Sequence, residues 1–482
     1  MSSLSLNQHY LAIDQGGHAS RALLFDQQGH ILSQATKEIK TYHPQTYFVE
    51  HDPIELIHSV EQAITSCLDG AKHIKLNIAC AGLATQRSSI ICWNKVTGEP
   101  LSNILSWQDR RAAHWMNQFL SHTHDIHRIT GLYPSPHYGV SKIHWCLENL
   151  AEVNNALTKN QLIIGPLASY IAFKLCQEHP IATDPANGSR TLLLNLKTMD
   201  WDENLLKQFN IPQSILPPCK TNTHHFGTIK NNDQEFPLTL ITGDQSAALF
   251  HNGFPDSKDA HINIGTGAFV QRTIPHPMSN NVNLLSSLVY SDEEKKHYVL
   301  EGTINGAGSA LAWFAETTQT THWQNHIEDW LDQPADDLFF INAVGGIASP
   351  YWQSEVLPDF MGEGSVAEKF CAIVESTLFL IMKNLETMKL HLPNVNNLVI
   401  SGGLSQSNTL CQRLADLSTT PVLRPEEKEA TARGVCFLLK NDKSLWKSSD
   451  ITTFSPRSNP KLLQRYECWL LNFEKIVMSQ KQ

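Results

Sequence analysis

Short apolar stretches separated by glycine turns dominate the first part of the chain. Residues 10–40 predict three consecutive strands, because the apolar runs break at the turns 16–17 and 28–29. An Asp-Pro pair opens the segment 52–68, whose apolar residues recur every three or four positions and predict a capped helix. Residues 75–82 form a continuous apolar run ending in glycine, the pattern of a buried strand. This alternation predicts an α/β fold.

The second half of the chain repeats this order of elements. This repeat begins after another predicted buried strand, at 238–244. Its elements are predicted as a hairpin at 262–273, a helix beginning near Gly308, an amphipathic helix at about 367–390, and a strand at 397–401 that runs into Gly402 and Gly403. The repetition predicts two similar domains, which we place at 1–250 and 251–482, with a helical cap over about the last forty residues.

Composition and charge remove several classes of function. The 482 residues carry a formal net charge of −10, whereas a nucleic-acid surface needs a basic face. No stretch approaches the ~20 apolar residues of a membrane helix, and the first residues lack the pattern of a secretory signal. The ten cysteines show no paired spacing, which indicates reduced thiols. We therefore expect a cytoplasmic protein that binds neither nucleic acid nor membrane.

Two glycine hairpins are the strongest chemical signal. Gly16 and Gly17 follow a strand that ends near Asp14, and a second hairpin turns through Gly265 and Gly267. Such turns expose backbone N–H groups, and concavities of this kind hold phosphate. A single glycine turn is weak evidence, but two in one chain predict that both halves hold one polyphosphate.

Two aspartates follow predicted strands. Asp244 suits a helix N-cap, and a carboxylate at that position in a crevice between domains also suits a base that takes a proton from a hydroxyl. The two roles are compatible. Asp14, the acidic group next to the first glycine turn, is placed to hold Mg²⁺ through water.

Other candidate site residues can also be explained by a purely structural role. Gly402 and Gly403 lead into a helix N-terminus, which suits a phosphate or a flat ring but also a plain strand–helix connection. Arg87 offers a fork of donors to hydroxyls or carboxylates, yet a lone arginine is more often a surface or ion-pair residue. Trp107 is more typical of packing than of a ligand platform.

A series of short segments runs in fixed order from about residue 10 to residue 440. These segments are 12–16, 20–22, 49–53, 85–87, 107–111, 183–190, 243–250, 265–269, 300–302, 350–352, 402–403, 424–426 and 431–432. In them the chain resembles the FGGY carbohydrate kinases and, within that family, the glycerol kinases. The resemblance implies two actin-like (ribonuclease H-like) α/β domains flanking a central cleft. It also implies ATP-dependent phosphorylation of a hydroxyl on a small polyol or sugar, with ATP and Mg²⁺ as cofactors and a homodimer or homotetramer as the assembly.

The resemblance also implies roles for individual residues. Asp244 would be the general base, and Asp14 would lie near Mg²⁺. The ATP-binding residues would be Gly16, Gly17, His18, Ser20, Arg21, Thr266, Gly308, Gly403 and Asn408. The substrate-binding residues would be Arg87, Ser88, Trp107, His137, Asp244, Gln245 and Phe269.

The chain departs from the glycerol kinases at several of these positions. Where they have a glutamate after the pocket arginine it has Ser88, and where they have a tyrosine it has His137. Further departures are His18 and Ala19 in the phosphate turn, Ser401 before the glycine pair, and Ala312 near the base site. Losing a carboxylate that binds hydroxyls costs about 1.5–3 kcal/mol, or roughly ten- to a hundredfold in affinity. We therefore expect poor phosphorylation of glycerol and a different polyol or sugar as substrate; the alternative is an impaired regulator that binds ATP or a sugar.

Overall fold

The computed structural model describes residues 8–278, 283–331, 337–427, 429–440 and 443–479. In the first half the strands are β1 (His9–Gln15), β2 (Ala19–Phe25), β3 (Ile31–Glu38), β4 (Glu50–His51), β5 (Ile78–Thr85), β6 (Ile90–Asn94), β7 (Ile104–Leu105), β8 (Leu162–Pro166), β9 (Leu194–Asn195), β10 (Asp200–Trp201), β11 (Thr223–Asn231) and β12 (Gln234–Gly243). The helices there are α1 (Pro53–Gly70), α2 (Ala113–Asn117), α3 (Thr123–Thr130), α4 (Gly139–Asn149), α5 (Ala151–Thr158), α6 (Leu167–Leu175), α7 (Pro185–Gly188), α8 (Glu203–Phe209) and α9 (Asp244–Ala248).

The second half contains longer helices around a second sheet. Its strands are β13 (Asp259–Ile264), β14 (Ala268–Ile274), β15 (Leu285–Ser291), β16 (Lys296–Ile304), β17 (Phe339–Ile341), β18 (Asp359–Met361), β19 (Asn397–Ser401), β20 (Val422–Pro425) and β21 (Ile451–Phe454). Its helices are α10 (Gly308–Thr318), α11 (Ile327–Leu331), α12 (Val366–Lys389), α13 (Asn408–Ser418), α14 (Ala430–Leu439) and α15 (Pro460–Ser479).

The two main sheets share one strand order. The first runs β11-β12-β5-β1-β2-β3, with β1, β5 and β12 parallel and β2 antiparallel to β1. The second runs β15-β16-β14-β13-β19-β20-β21, with β13, β19 and β20 parallel and β14 antiparallel to β13. The unit β3-β2-β1-β5-β12 therefore corresponds to β16-β14-β13-β19-β20. This correspondence confirms the duplication predicted from the order of elements.

Local signals in the sequence explain where the main helices begin. Asp52 accepts hydrogen bonds from the N–H groups of Ile54 and Glu55 at 2.8 and 2.9 Å, so α1 is capped as predicted. Such a cap is worth about 1 kcal/mol. Ser365 and Glu368 form a reciprocal capping box at the start of α12. One face of α1 is buried, whereas residues 370–381 of α12 are buried on all sides, and the domain cores lie between these helices and the sheets.

Helix α14 joins the two halves of the chain. Although it lies in sequence between β20 and β21 of the second sheet, it packs against β1, β5 and α9 of the first half. A Cβ on Gly434 would lie 1.8 Å from the carbonyl oxygen of Ala247, so only glycine lets α14 approach α9 this closely. The division at residue 250 stays a prediction, but α14 fixes the second half directly to the helix that begins with Asp244.

Within the described residues, none of the helices has both the length and the apolar character needed to cross a bilayer. The ten cysteines are free, and most of them are buried.

Candidate active site

Asp14 and Asp244 lie at the same edge of the first sheet. Asp14 is paired in register with Ala84, and Thr242, two residues before Asp244, is paired with the same alanine. Because β1, β5 and β12 are parallel, their carboxyl ends meet at this edge, where ligands of open α/β sheets bind. The sheet therefore brings together the two predicted acidic groups, one on each side of β5.

The two carboxyl groups influence each other. Burial first, and then the nearby Asp244 carboxylate, raise the pKa of Asp14 to about 7, although Arg21 lowers it. Burial also raises the pKa of Asp244, while Arg87 and the backbone N–H of Gln245 act in the opposite direction. That N–H donates to Oδ1 of Asp244 at 2.7 Å and fixes the orientation of the carboxylate. The edge therefore carries two carboxyl groups with raised proton affinity, which suits proton transfer near neutral pH.

The first glycine turn connects β1 to β2. The N–H of Gly16 donates to the carbonyl oxygen of Ala19 at 2.9 Å, and a Cβ on Gly17 would meet nothing within 4 Å. His18 is exposed at the tip. The open space above Gly17 leaves room for a phosphate against the backbone.

Arg21 and Ser20 point to different faces of β2. Arg21 lies 3.8 Å from Asp14 and 3.6 Å from Glu429, which precedes α14. Ser20 is fully buried, and its hydroxyl is 2.8 Å from that of Ser59 on α1. Of the two, Arg21 offers its side chain to the cleft, whereas Ser20 offers only its backbone.

The second glycine turn is fixed to the start of α10. The N–H groups of Ala307 and Ser309 donate to the carbonyl oxygen of Thr266 at 3.2 and 2.9 Å, and that of Gly308 donates to Gly265 at 2.9 Å. A Cβ on Gly308 would lie 2.8 Å from the carbonyl oxygen of Gly265, so glycine is needed for this contact. Thr266 stays exposed. The predicted residues Thr266 and Gly308 therefore form one rigid unit.

The glycine pair after β19 leads into α13 through a short 3₁₀ turn. Gly402 has a φ of +94°, whereas Gly403 is exposed and a Cβ there would meet nothing within 4 Å. The N–H groups of Asn408 and Thr409 both donate to the Glu328 carboxylate at 3.1 Å. The carboxylate of Glu328 therefore already binds the N-terminus of α13. A nucleotide-binding role for Asn408 would depend on its exposed side chain.

Arg87 lies beside the base candidate. Its side chain crosses Gly243, where a Cβ would lie 2.5 Å from Cγ and Cδ of the arginine. Nη2 donates to Oε1 of Gln245, while Nη1 is buried without a hydrogen-bond partner. Burial and the nearby Arg190 lower the pKa of Arg87 to about 10, so the guanidinium stays charged at neutral pH.

Ser88 and Trp107 are two further predicted substrate-binding residues. Ser88 has a φ of +65°, an uncommon conformation for a residue other than glycine, and such strain is often found at binding sites. The N–H of Trp107 donates to the hydroxyl of Ser89 at 3.0 Å, and the residue is 37% exposed.

His137 is bound to Trp107 through its ring. Nδ1 lies 3.2 Å from the carbonyl oxygen of Trp107, and since a carbonyl only accepts, Nδ1 carries the hydrogen and leaves Nε2 as an acceptor. Burial, with the nearby Lys142, lowers the pKa of His137 to about 4. Nζ of Lys142 donates to the carbonyl oxygen of His137 at 2.8 Å, so a buried lysine holds this loop in place.

A cavity between α9 and the second sheet collects further predicted residues. Gln245 lines it from the first half, and Phe269 and Gly402 line it from the second. Gln245 also accepts a hydrogen bond from Arg87, so this residue connects the cavity with Arg87.

Several residues around this site carried no predicted role. Arg190 donates to both oxygens of Glu301 at 3.0 and 2.9 Å, and Gln271 donates to the same carboxylate at 2.6 Å. Tyr138 interacts with Arg190 and Arg87. Arg190 and Glu301 lie in segments that carried the family resemblance, so their positions were visible in the sequence, but their pairing was not.

The residues near Asp14 fit a weakly held hydrated cation. The described residues contain no group of three or more His, Cys, Asp or Glu side chains arranged as metal ligands. Magnesium usually keeps several waters and takes one or two carboxylates together with substrate phosphates. One carboxylate beside a phosphate turn is compatible with that mode.

Solved structures of sugar and polyol kinases share this fold. A Plasmodium falciparum glycerol kinase with ADP superposes with a TM-score of 0.88 at 24% identity, covering 98% of each chain. A Lactobacillus acidophilus xylulose kinase superposes with a TM-score of 0.84 at 22% identity, again covering 98% of both. The architecture is therefore that of the two-domain α/β kinases, which confirms the predicted fold class.

Family models and curated relatives identify the same class of protein as the solved structures. The N-terminal domain model of the FGGY family of carbohydrate kinases matches residues 9–250, and its C-terminal domain model matches residues 260–439. The chain belongs to the FGGY family of carbohydrate kinases. It is 33% identical to a glycerol kinase of Borrelia garinii, over 92% of this chain and 91% of the relative. It is 30% identical to a glycerol kinase of Limosilactobacillus reuteri over 97% of each. The predicted enzyme class, a carbohydrate or polyol phosphotransferase, is confirmed.

Proposed function

We propose that this kinase transfers the terminal phosphoryl group of ATP to a hydroxyl of a small polyol or sugar, with Asp244 as general base. The observation that carries the proposal is the placement of Asp244 and Asp14 on either side of β5, at the edge where α14 joins the two halves. A base and an anion-binding turn at one sheet edge are the parts that phosphoryl transfer requires.

The chemistry follows from the geometry around Asp244. The substrate hydroxyl loses its proton to Asp244 as its oxygen forms a bond to the γ-phosphorus and the bond from that phosphorus to ADP breaks. A raised pKa makes the carboxylate a better proton acceptor. Gln245 fixes the carboxylate through its N–H. Domain closure would keep out water, which competes for the phosphoryl group.

ATP would lie along the two glycine turns. Backbone N–H groups of Gly17 and His18, the side chain of Arg21, and the exposed Thr266 are the groups we assign to its phosphates. Exposed Gly403 lets a flat ring approach the backbone. Asp14 would hold Mg²⁺ through water, and the ion would neutralise charge on the phosphates.

The substrate pocket would be formed by Arg87, Ser88, Trp107, His137 and Phe269. Two of these side chains, Ser88 and His137, replace groups that the glycerol kinases use, and a small triol has few other contacts to compensate. We therefore propose a larger or differently substituted substrate than glycerol.

A substrate panel tests the function. ADP release would be measured with triols, tetritols, pentuloses and hexuloses, at equal protein and MgATP. Turnover of at least one of them, with glycerol showing a KM well above the micromolar range, is expected. A glycerol KM in the low micromolar range would contradict the substrate proposal. Binding of MgATP without turnover of any substrate would contradict the catalytic role and favour a regulator.

A further inference from the structure

Arg87 is a buried cation that lies near Asp244. Only 8% of the residue is exposed, and Nη1 is buried with no hydrogen-bond partner. Its sole hydrogen bond among the described residues runs from Nη2 to the neutral side-chain oxygen of Gln245, which lines the cleft cavity. A guanidinium offers donors in a planar fork that matches the two oxygens of a carboxylate.

Most other buried arginines in the described part of the chain bind carboxylates; the exception is Arg272, which donates to the backbone carbonyls of Pro393 and Ser257. Arg111 binds Glu50 and Asp109, Arg190 binds Glu301, Arg433 binds Glu427, and Arg413 and Arg465 bind Glu375. Removing such a partner from a buried charge is costly, which explains the pairing. Among the described ion pairs, none involves Arg87.

The residues that surround Arg87 leave its charge available. Ser88, the next residue, contributes a hydroxyl and no charge. The carboxylate of Glu301 is already engaged by Arg190 and Gln271. Asp244 is near enough to favour the charged guanidinium, but in the proposed reaction it becomes neutral when it takes the proton. A neutral polyol would satisfy the free N–H groups without compensating the positive charge.

We propose that the substrate is a small polyhydroxy acid, whose carboxylate binds Arg87 and whose hydroxyl faces Asp244. This inference rests on the kinase function proposed above. The carboxylate does not react. The γ-phosphorus–oxygen bond to ADP breaks, a phosphorus–oxygen bond to the substrate hydroxyl forms, and the hydroxyl proton passes to Asp244.

Matched pairs of substrates test the inference. Each neutral polyol would be assayed beside the acid with the same carbon skeleton: glycerol with glycerate, erythritol with erythronate, and ribitol with ribonate. We expect kcat/KM for at least one acid to exceed that of its neutral partner by about tenfold or more. A consistent preference for the neutral member would overturn the inference and leave the kinase function intact.

Introducing a negative charge beside Arg87 provides the reciprocal test. Ser88→Glu places a carboxylate next to the guanidinium, so we expect the ratio of acid to neutral kcat/KM to fall about tenfold or more. Ser88→Gln is the matched control, since it adds similar volume without charge and should keep the acid preference. An unchanged ratio in Ser88→Glu would overturn the inference.

A binding measurement distinguishes failure of the polyhydroxy-acid inference from failure of the proposed kinase function. If no compound is turned over, the kinase proposal fails. Calorimetric titration of each acid and its neutral partner then decides the inference by itself: stronger binding of the acid, weakened by Ser88→Glu, supports it. Equal or weaker binding of the acid overturns it.

Discussion

Arg190 and Glu301 form a buried ion pair between the two halves of the chain, with Nη2 of the arginine 3.0 and 2.9 Å from the carboxylate oxygens. Glu301 is on β16 and pairs in register with Gln271 of β14, which donates to the same carboxylate. Burial by itself would raise the pKa of Glu301, but Arg190 and Arg87 outweigh it and hold the pKa below its usual range. The pair therefore stays charged at neutral pH and fixes the second sheet behind the pocket of Arg87.

Replacing Glu301 by glutamine should weaken both stability and substrate binding. Arg190 would keep its buried charge without a partner, which costs about 3 kcal/mol. Because Tyr138 and Arg87 lie next to this pair, we expect the substrate KM to rise about tenfold as well. Urea unfolding and steady-state kinetics measure the two effects.

Glu375→Gln is the matched control for that experiment. Glu375 is also buried and binds Arg413 and Arg465 at 2.6 and 2.5 Å, but within the second half. We expect a similar loss of stability with an unchanged substrate KM. If both variants changed the KM equally, the specific role of Glu301 would be excluded.

Asp14→Asn should stabilise the protein at high pH. The pKa of Asp14 is raised to about 7, so the folded state keeps a proton that the unfolded chain loses near pH 4. Below pH 4 Asp14 is neutral in both the folded and the unfolded state. Between pH 4 and about pH 7 the unfolded chain loses the proton more readily, so the destabilising effect of Asp14 grows with pH. The advantage of the variant should follow the same course and reach about 4 kcal/mol at pH 8, at ~1.4 kcal/mol for each pH unit between the two pKa values. Urea unfolding from pH 4 to pH 8 would show it, and a constant difference would refute it.

Two neighbouring glycines should respond differently to alanine. Gly402 has a φ of +94°, and its Cβ would lie 2.5 Å from the carbonyl oxygen of Ile264, so Gly402→Ala should destabilise the fold by about 1–3 kcal/mol. Gly403→Ala meets no neighbour and should keep the stability, while a side chain against the proposed nucleotide site should raise the KM for ATP. Thermal unfolding and ATP kinetics separate the two; an unchanged ATP KM in Gly403→Ala would count against that site.

His137→Phe should raise the KM for substrate about tenfold, since it removes the acceptor at Nε2. The pKa of His137 is lowered to about 4, so the ring is neutral in wild-type protein and the effect should be constant from pH 6 to pH 8. His144→Phe is the control, because His144 stacks on Trp115 in α2, away from Trp107. Steady-state kinetics at several pH values would test this, and a pH-dependent effect would contradict the neutral ring.

Much of the fold was readable from the sequence because its signals are local. Glycine turns separate β1, β2 and β3, and Asp52 marks the start of α1, so these elements follow from neighbouring residues. The predicted helix at 367–390 is observed as α12. By contrast, the packing of α14 on the first sheet depends on Gly434 meeting Ala247, almost 190 residues apart in sequence, and no periodic pattern encodes that.

The candidate site was predictable in part for the same reason. Asp14 and Asp244 could be placed because each lies at the carboxyl end of a strand: Asp14 is the penultimate residue of β1, and Asp244 directly follows β12. The Arg190–Glu301 pair spans 111 residues, and Glu328 reaches the end of α13 from 80 residues away, so both needed the three-dimensional structure. For Arg87, the sequence did not distinguish a hydroxyl ligand from a carboxylate ligand. Only the three-dimensional structure shows that Nη1 is buried without a hydrogen-bond partner.

The role of Asp244 as the general base is tested most directly by Asp244→Asn. With the best substrate of the panel, kcat measured by ADP release should fall about a hundredfold to ten-thousandfold. The calorimetric Kd for MgATP should stay within about twofold of the wild-type value, because Asp244 is assigned no contact to the nucleotide. Turnover close to wild type in this variant would contradict the central claim.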